Sequence, residues 1–150
     1  MERLTINELV AMVGGLMLAA GLFASWYAAV SPLAELAGRQ GIGAVSGWEA
    51  HAILRWLLMI VAIAPFVLAY IVARDFQLTW ARGELTAVLA ILAFGIVLYV
   101  GVIDRPGEPS GQIELRWGWY VALAGSLLML AGAARRSGET ERARKPPGTI

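Results

Sequence analysis

Four stretches without a single charged side chain or histidine, residues 9–34, 56–73, 85–103 and 117–134, decide what this chain can fold into. A helix rises 1.5 Å per residue, so about 20 apolar residues cover the roughly 30 Å of hydrocarbon in a bilayer. Each stretch meets or nearly meets that length. Buried core helices are the alternative reading, but a protein of 150 residues has too little polar surface to cover four of them. The composition agrees: 59% of residues are hydrophobic and 15% charged, against about 25% charged in soluble domains. The sequence therefore predicts an all-α membrane protein with four transmembrane helices in an up-down bundle.

The expected helices are 7–30, 48–73, 85–103 and 116–134, which makes residues 1–135 one transmembrane domain. Thr5-Ile6-Asn7-Glu8 and Ser46-Gly47-Trp48-Glu49 have capping-box spacing and open the first two. Pro65 removes one backbone donor and is expected to kink the second. Residues 31–50 form the longest connection, read as a surface turn followed by a flexible glycine-bearing link from Gly38 to Gly47. Asp104-Arg105-Pro106-Gly107-Glu108-Pro109-Ser110-Gly111 is a turn cluster. Residues 136–150, with five of the last sixteen positions basic counting Arg135, are expected to form a disordered basic cytoplasmic tail. The first apolar run opens on Met1-Glu2-Arg3 with little basic character and ends on Trp26-Tyr27, so it reads as an uncleaved helix. No repeat recurs at a fixed offset, so the internal symmetry of many transporters finds no support.

Sidedness follows from Lys and Arg. With both termini cytoplasmic, the inner side holds Arg3, Arg74, Arg82, Arg135, Arg136, Arg142, Arg144 and Lys145; the outer side holds Arg39, Arg55, Arg105 and Arg116. The excess favours this orientation and a multi-pass protein of the cell membrane. Trp26, Tyr27, Trp48, Trp56, Tyr99, Trp117, Trp119 and Tyr120 then lie near the outer interface, where such rings prefer to sit.

Candidate chemistry is sparse. Arg55 falls about two turns into the expected second helix, where a charge must pair or reach for the headgroups. His51 lies four residues earlier on the same face. With Glu49, Asp104 and Glu114 from the same side they form a candidate outer-face ligand or ion-pair cluster. An interfacial ion pair beside a snorkelling arginine explains the same residues. One histidine, placed at the surface, and no cysteine make a poor metal or haem site, so no metal, cofactor or catalytic residue is expected. An aromatic belt accounts for the tryptophans without a bound sterol or quinone. Small residues at spacing four, among them Gly15 and Ala19 in the first helix and Gly118, Ala122 and Ser126 in the last, are candidate helix-packing positions. No carboxylate, lysine or histidine is expected deep in a span, which argues against an ion-coupled transporter, a pump or intramembrane catalysis. A net charge of +1 gives no reason to expect nucleic acid.

Ser46-Gly47-Trp48-Glu49-Ala50, the Trp26-Tyr27 pair and Gly118-Trp119-Tyr120 before a Gly/Ala/Leu-rich helix resemble a loosely defined group of small four-helix bacterial integral membrane proteins without assigned activity. The resemblance spans most of residues 5–134 and implies topology but no mechanism. Claudin-like tetraspan proteins share a long first outer loop, but they carry a cysteine pair there and this chain has no cysteine. The expected function is non-enzymatic, structural or accessory. Expected partners are membrane lipids and, through the small-residue faces, a second copy or a larger membrane complex. The alternatives are a transport or ligand-binding protein with an outer site around Arg55, and a membrane enzyme.

Overall fold

The structure is a computed structural model that describes residues 4–74, 76 and 83–144, with side chains as far as residue 139. In chain order it runs α1 (Ile6–Phe23), β1 (Ser25–Ala29), β2 (Glu35–Leu36), β3 (Arg39–Gln40), β4 (Gly43–Ser46), α2 (Gly47–Ala50), α3 (Leu54–Ala73), α4 (Glu84–Val102), β5 (Ile113–Leu115) and α5 (Trp117–Arg144). Four helical segments, Ile6–Phe23, Leu54–Ala73, Glu84–Val102 and Trp117–Glu139, are long and apolar enough to cross a membrane.

Both capping boxes form. Thr5 N–H donates to the Glu8 carboxylate at 2.7 Å while the Thr5 hydroxyl accepts from Glu8 N–H at 3.4 Å, and Ser46 and Glu49 repeat the exchange. The first helix, however, stops at Phe23 rather than residue 30. Eighteen helical residues span about 27 Å at 1.5 Å each, nearly a bilayer core, and the rest of the apolar run becomes a strand. β1 is the centre of an antiparallel sheet ordered β4-β1-β5, with Tyr27 opposite Val45 on one side and Leu115 on the other. A second hairpin, β2–β3, turns at Ala37-Gly38 with both residues at positive φ, 52° and 74°, the signature of a type I′ turn. Reciprocal backbone bonds between Glu35 and Glu108, 2.8 and 2.9 Å, tie this hairpin to the α4–α5 connection. The expected all-α fold is thus corrected: a small β-cap sits on a helical bundle, and the Gly38–Gly47 link is largely strand. Apolar runs without alternation do not distinguish a buried strand from a helix.

The helices close into a ring of neighbours, α1 to α5, α5 to α4, α4 to α3 and α3 to α1; the α1–α5 seam is the most extensive and α3–α4 the slightest. Glycines let the α1 and α5 backbones touch. A Cβ on Gly21 would lie 2.8 Å from Ala122 N, one on Gly125 2.6 Å from Leu18 N, and one on Gly132 2.5 Å from Asn7 O; Gly14 meets Met129 and Gly125 in the same way. The expected packing residues are consumed inside the monomer. Gly15 faces Ala62 and Pro65 of α3, Gly118 abuts Ala24 and Ser25, Ala122 lies against Gly21, and Ser126 is fully buried and donates to Leu123 O at 2.7 Å. Ala19 packs against the same core.

The expected second helix is divided at His51–Ile53 into α2 and α3. The expected third, 85–103, appears as Glu84–Val102. The last helix continues past residue 134 to Arg144, so residues 136–144, expected within a disordered tail, are helical; residues 145–150, like Asp75, Trp80 and Arg82 of the α3–α4 connection, lie outside the described residues. Its extension is tied to the start of α1. Arg136 pairs with the 5%-exposed Glu8 at 3.3 Å and with Glu139 at 3.6 Å, and Asn7 Nδ2 donates to Glu139 at 2.6 Å. A buried ion pair therefore stands at the chain-terminal end of the bundle, and Arg136, expected in the basic tail, is part of it. The sheet stands at the other end.

Candidate functional site

The polar chemistry of the sheet end is organised by β1. Trp26 and Tyr27 are fully buried although they follow directly on α1. Trp26 Nε1 donates to Gly21 O at 2.7 Å, joining the Ala24 N–H, 3.2 Å away, on a carbonyl of the last turn of α1. A Cβ on Gly47 would lie 2.5 Å from the Trp26 ring, so only glycine fits where α2 crosses it. This contact sets α2 and the residue that follows it, His51.

His51 packs edge-on to Trp26 and Tyr27, with ring centroids 6.0 and 5.7 Å away, and its Nε2 lies 2.9 Å from Tyr27 Oη. It is therefore half-buried in an aromatic cluster rather than placed at the surface. Tyr27 Oη also lies 3.1 Å from Val100 O near the end of α4. The Ile103 and Asp104 N–H groups both donate to Tyr99 O, at 2.9 and 3.0 Å, and so leave Val100 O to the tyrosine. A phenol has one proton. Given to Val100 O, it obliges His51 Nε2 to carry the proton it shares with Tyr27, and leaves neutral His51 with Nδ1 as an acceptor; this tautomer is assigned from the hydrogen-bond network. Burial lowers the His51 pKa from its usual range, with Asp104 pulling the other way. Burial likewise raises that of Tyr27, opposed by Arg105 and reinforced by Asp104. Burial thus favours the neutral form of both groups.

Two further carbonyls in the last turns of α4 also accept side-chain donors. Arg105 Nε donates to Gly101 O at 2.7 Å and its NH1 to Ile113 O at 3.1 Å. Trp119 Nε1 donates to Val97 O at 2.8 Å while its ring fills the space over Gly101. Side chains from β1, the α4–α5 connection and α5 thus converge on one helix terminus.

The five residues of the expected outer-face cluster divide into separate groups. Arg55 stands in the first turn of α3, not two turns in. Its guanidinium lies over Trp48 and Trp56, 5.1 and 5.8 Å from the centroids, and donates to Trp48 O at 3.3 Å. Glu49 pairs with Arg39 at 3.2 Å on the exposed surface. Its pKa is lowered first by the Ser46 backbone N–H and further by Arg39. Glu114 is an exposed residue of β5. His51 and Asp104 come together: both border a cavity of about 480 Å³ whose other walls are Leu54, Ile91, Leu92, Gly95, Ile96, Tyr99 and Val100. Sequence reading missed Tyr27 and Arg105 as organisers of this site. The Trp26-Tyr27 pair was visible, but nothing in an apolar run marks a ring as the middle of a sheet. Among the described residues no three His, Cys, Asp or Glu side chains could hold a metal ion.

Comparison with protein-family models, with curated proteins and with solved structures finds no match to this chain, so its own geometry must carry the functional reading.

Proposed function

We propose that the chain is a four-span integral membrane protein of the cell membrane, with cytoplasmic termini and an outer β-cap, and that its role is structural or accessory rather than catalytic. One observation carries the membrane reading. Large apolar side chains remain exposed along the middle of every long helix, among them Leu16 at 61%, Ile60 at 63%, Ile91 at 57% and Leu127 at 46%. Such faces are stable against lipid tails and costly against water. The polar groups gather at the two ends, the Glu8–Arg136 pair at one and the β-cap at the other. Arg135 and Arg136 beside the last span support the inner assignment of the terminal end.

The non-catalytic part of the reading rests on how the sheet end is bonded. His51 is the chain's one histidine, and its ring is engaged with Tyr27, whose own proton is held by Val100 O. Among the described residues, no serine or threonine borders the cavity beside it. Because the small-residue seam is already filled by α1 and α5, contact with a second copy or a larger complex would use the cap or the outward apolar faces of the helices away from the α3–α4 seam. Chemical crosslinking in native membranes followed by mass spectrometry tests this. A defined homo-oligomer or one recurrent partner is expected, and a monomer from which nothing co-purifies would overturn the accessory role.

A second reading is favoured by a specific observation. The cavity beside His51 and Asp104 has the roughly 300–1,000 Å³ size of small-ligand sites. A ligand-binding role at the sheet end therefore centres on those two residues rather than on Arg55, which Trp48 and Trp56 already engage.

A further inference from the structure

Gly95 has no packing neighbour that requires a glycine among the described residues. Glycine in a helix costs about 1 kcal/mol relative to alanine, and the long helices here accept that cost where two backbones or an indole need the room. Gly14, Gly15, Gly21, Gly101, Gly118, Gly125 and Gly132 all abut a neighbouring element. A Cβ on Gly95 would meet nothing within 4 Å. Among the other described glycines of the long helices, Gly138 alone shares this freedom, and it lies near the terminal end.

Gly95 is the floor of the cavity beside His51. Ile91, Leu92, Ile96 and Tyr99 share its face of α4, at helical spacing, and Leu54 of α3 forms the opposite wall. The cavity opens sideways on the bundle surface: Ile91 is 57% and Tyr99 49% exposed. It lies at the slightest seam of the helical ring, between α3 and α4. Its polar groups sit at one end only. Asp104 and His51 are the ionisable residues of its lining, and with Nε2 bonded to Tyr27 the other ring nitrogen of His51, Nδ1, remains as an acceptor. Two acceptors and one negative charge above an apolar trough call for an amphiphile whose head donates hydrogen bonds and carries positive charge.

We propose that this groove binds an outer-leaflet phospholipid with a primary ammonium headgroup, of the phosphatidylethanolamine type, with one acyl chain over Gly95 and the ammonium between Asp104 and His51. The inference rests on the membrane reading above, which puts the groove at the level of the outer leaflet and leaves its side open to lipid. Tyr99 supplies a hydroxyl donor at the same rim for the lipid phosphate. A transmembrane helix of a partner is a poorer occupant, because only one with a lysine placed at that depth could answer the polar end.

The test is native mass spectrometry of the full-length chain in mild detergent, with added phosphatidylethanolamine, phosphatidylcholine or phosphatidylglycerol of identical acyl chains. The ethanolamine lipid should be retained about tenfold more strongly than the other two, the scale of one charge-assisted hydrogen bond. Phosphatidylcholine keeps the positive charge but has no N–H, so it separates hydrogen bonding from charge. Asp104→Asn should abolish the preference. Gly95→Leu, placed where there is open space and so compatible with folding, should remove retention of all three. Equal retention of the three lipids, a preference for phosphatidylglycerol, or retention unchanged in Gly95→Leu would overturn the proposal. So would efficient crosslinking between two copies carrying Leu92→Cys. A chain that needs no detergent to stay dispersed would defeat the membrane reading itself, whereas a detergent-dependent chain without lipid preference would defeat the groove alone.

Discussion

Tyr27 Oη stands 2.9 Å from His51 Nε2 and 3.1 Å from Val100 O, so one phenol joins β1, the α2–α3 connection and the end of α4. Residues 24, 73 and 49 positions apart along the chain do not meet this way by local preference. Tyr27→Phe keeps the ring and deletes both bonds, leaving Val100 O buried without its donor. It is expected to cost about 1–3 kcal/mol, read as a lower midpoint in thermal or denaturant unfolding in detergent. Tyr27→Phe with unchanged stability would mean that the cap is held by strand pairing alone.

Stability should also fall in acid through His51. Burial depresses its pKa in the folded protein, while Asp104 opposes this and Tyr27 holds the ring. The unfolded chain then binds the proton more readily than the folded one. The contribution is complete above the ordinary histidine pKa of about 6.5 and is lost as pH falls from there through the depressed folded value. Unfolding midpoints measured across that window should drop with pH in the natural protein. His51→Gln should flatten the His51 part of the profile.

At the terminal end, Glu8→Gln isolates the charge of the buried pair, because glutamine retains the reach back to the Thr5 N–H. Removing one partner of a buried ion pair costs about 3–5 kcal/mol. The lower end applies here, since Arg136 retains Glu139 at 3.6 Å. Thermal unfolding of Glu8→Gln and Glu8→Gln/Arg136→Met checks this, and the double variant should recover part of the loss.

The glycines of the α1–α5 seam should tolerate no side chain. Gly125→Val would press a Cβ against backbone 2.6 Å away, with no flexible side chain to yield. Overpacking costs about 1–3 kcal/mol, more where rigid backbones must separate. Gly138→Ala makes the opposite case, with open space and a helical backbone, and should gain up to about 1 kcal/mol. Paired unfolding midpoints of the two variants settle the comparison.

The long helices were legible because uncharged length is a strong signal, and Thr5-Ile6-Asn7-Glu8 marked the first start to within a residue. The cap was not. Its strands are five residues or fewer, and Ser25–Ala29 continues an apolar run with no alternation to separate it from α1. What makes it a strand is pairing with Gly43–Ser46 and Ile113–Leu115, the latter more than 80 residues away. The candidate site was half legible for the same reason. Glu49, His51, Arg55, Asp104 and Glu114 were recognisable as the polar residues of one end, but their division among Arg39, Tyr27, Trp48 and the groove depends on side-chain geometry. Glu8 and Arg136, 128 positions apart, gave no sequence cue that they would be buried together.

The absence of cysteine makes the membrane arrangement directly measurable. Gly111→Cys at the sheet end and Gly138→Cys at the terminal end both fall in open space. Treated separately in intact cells with a membrane-impermeant maleimide, Gly111→Cys should be labelled, and Gly138→Cys should be labelled only after the membrane is opened. Labelling of both in intact cells, or of Gly138→Cys alone, would contradict a four-span bundle with its β-cap outside.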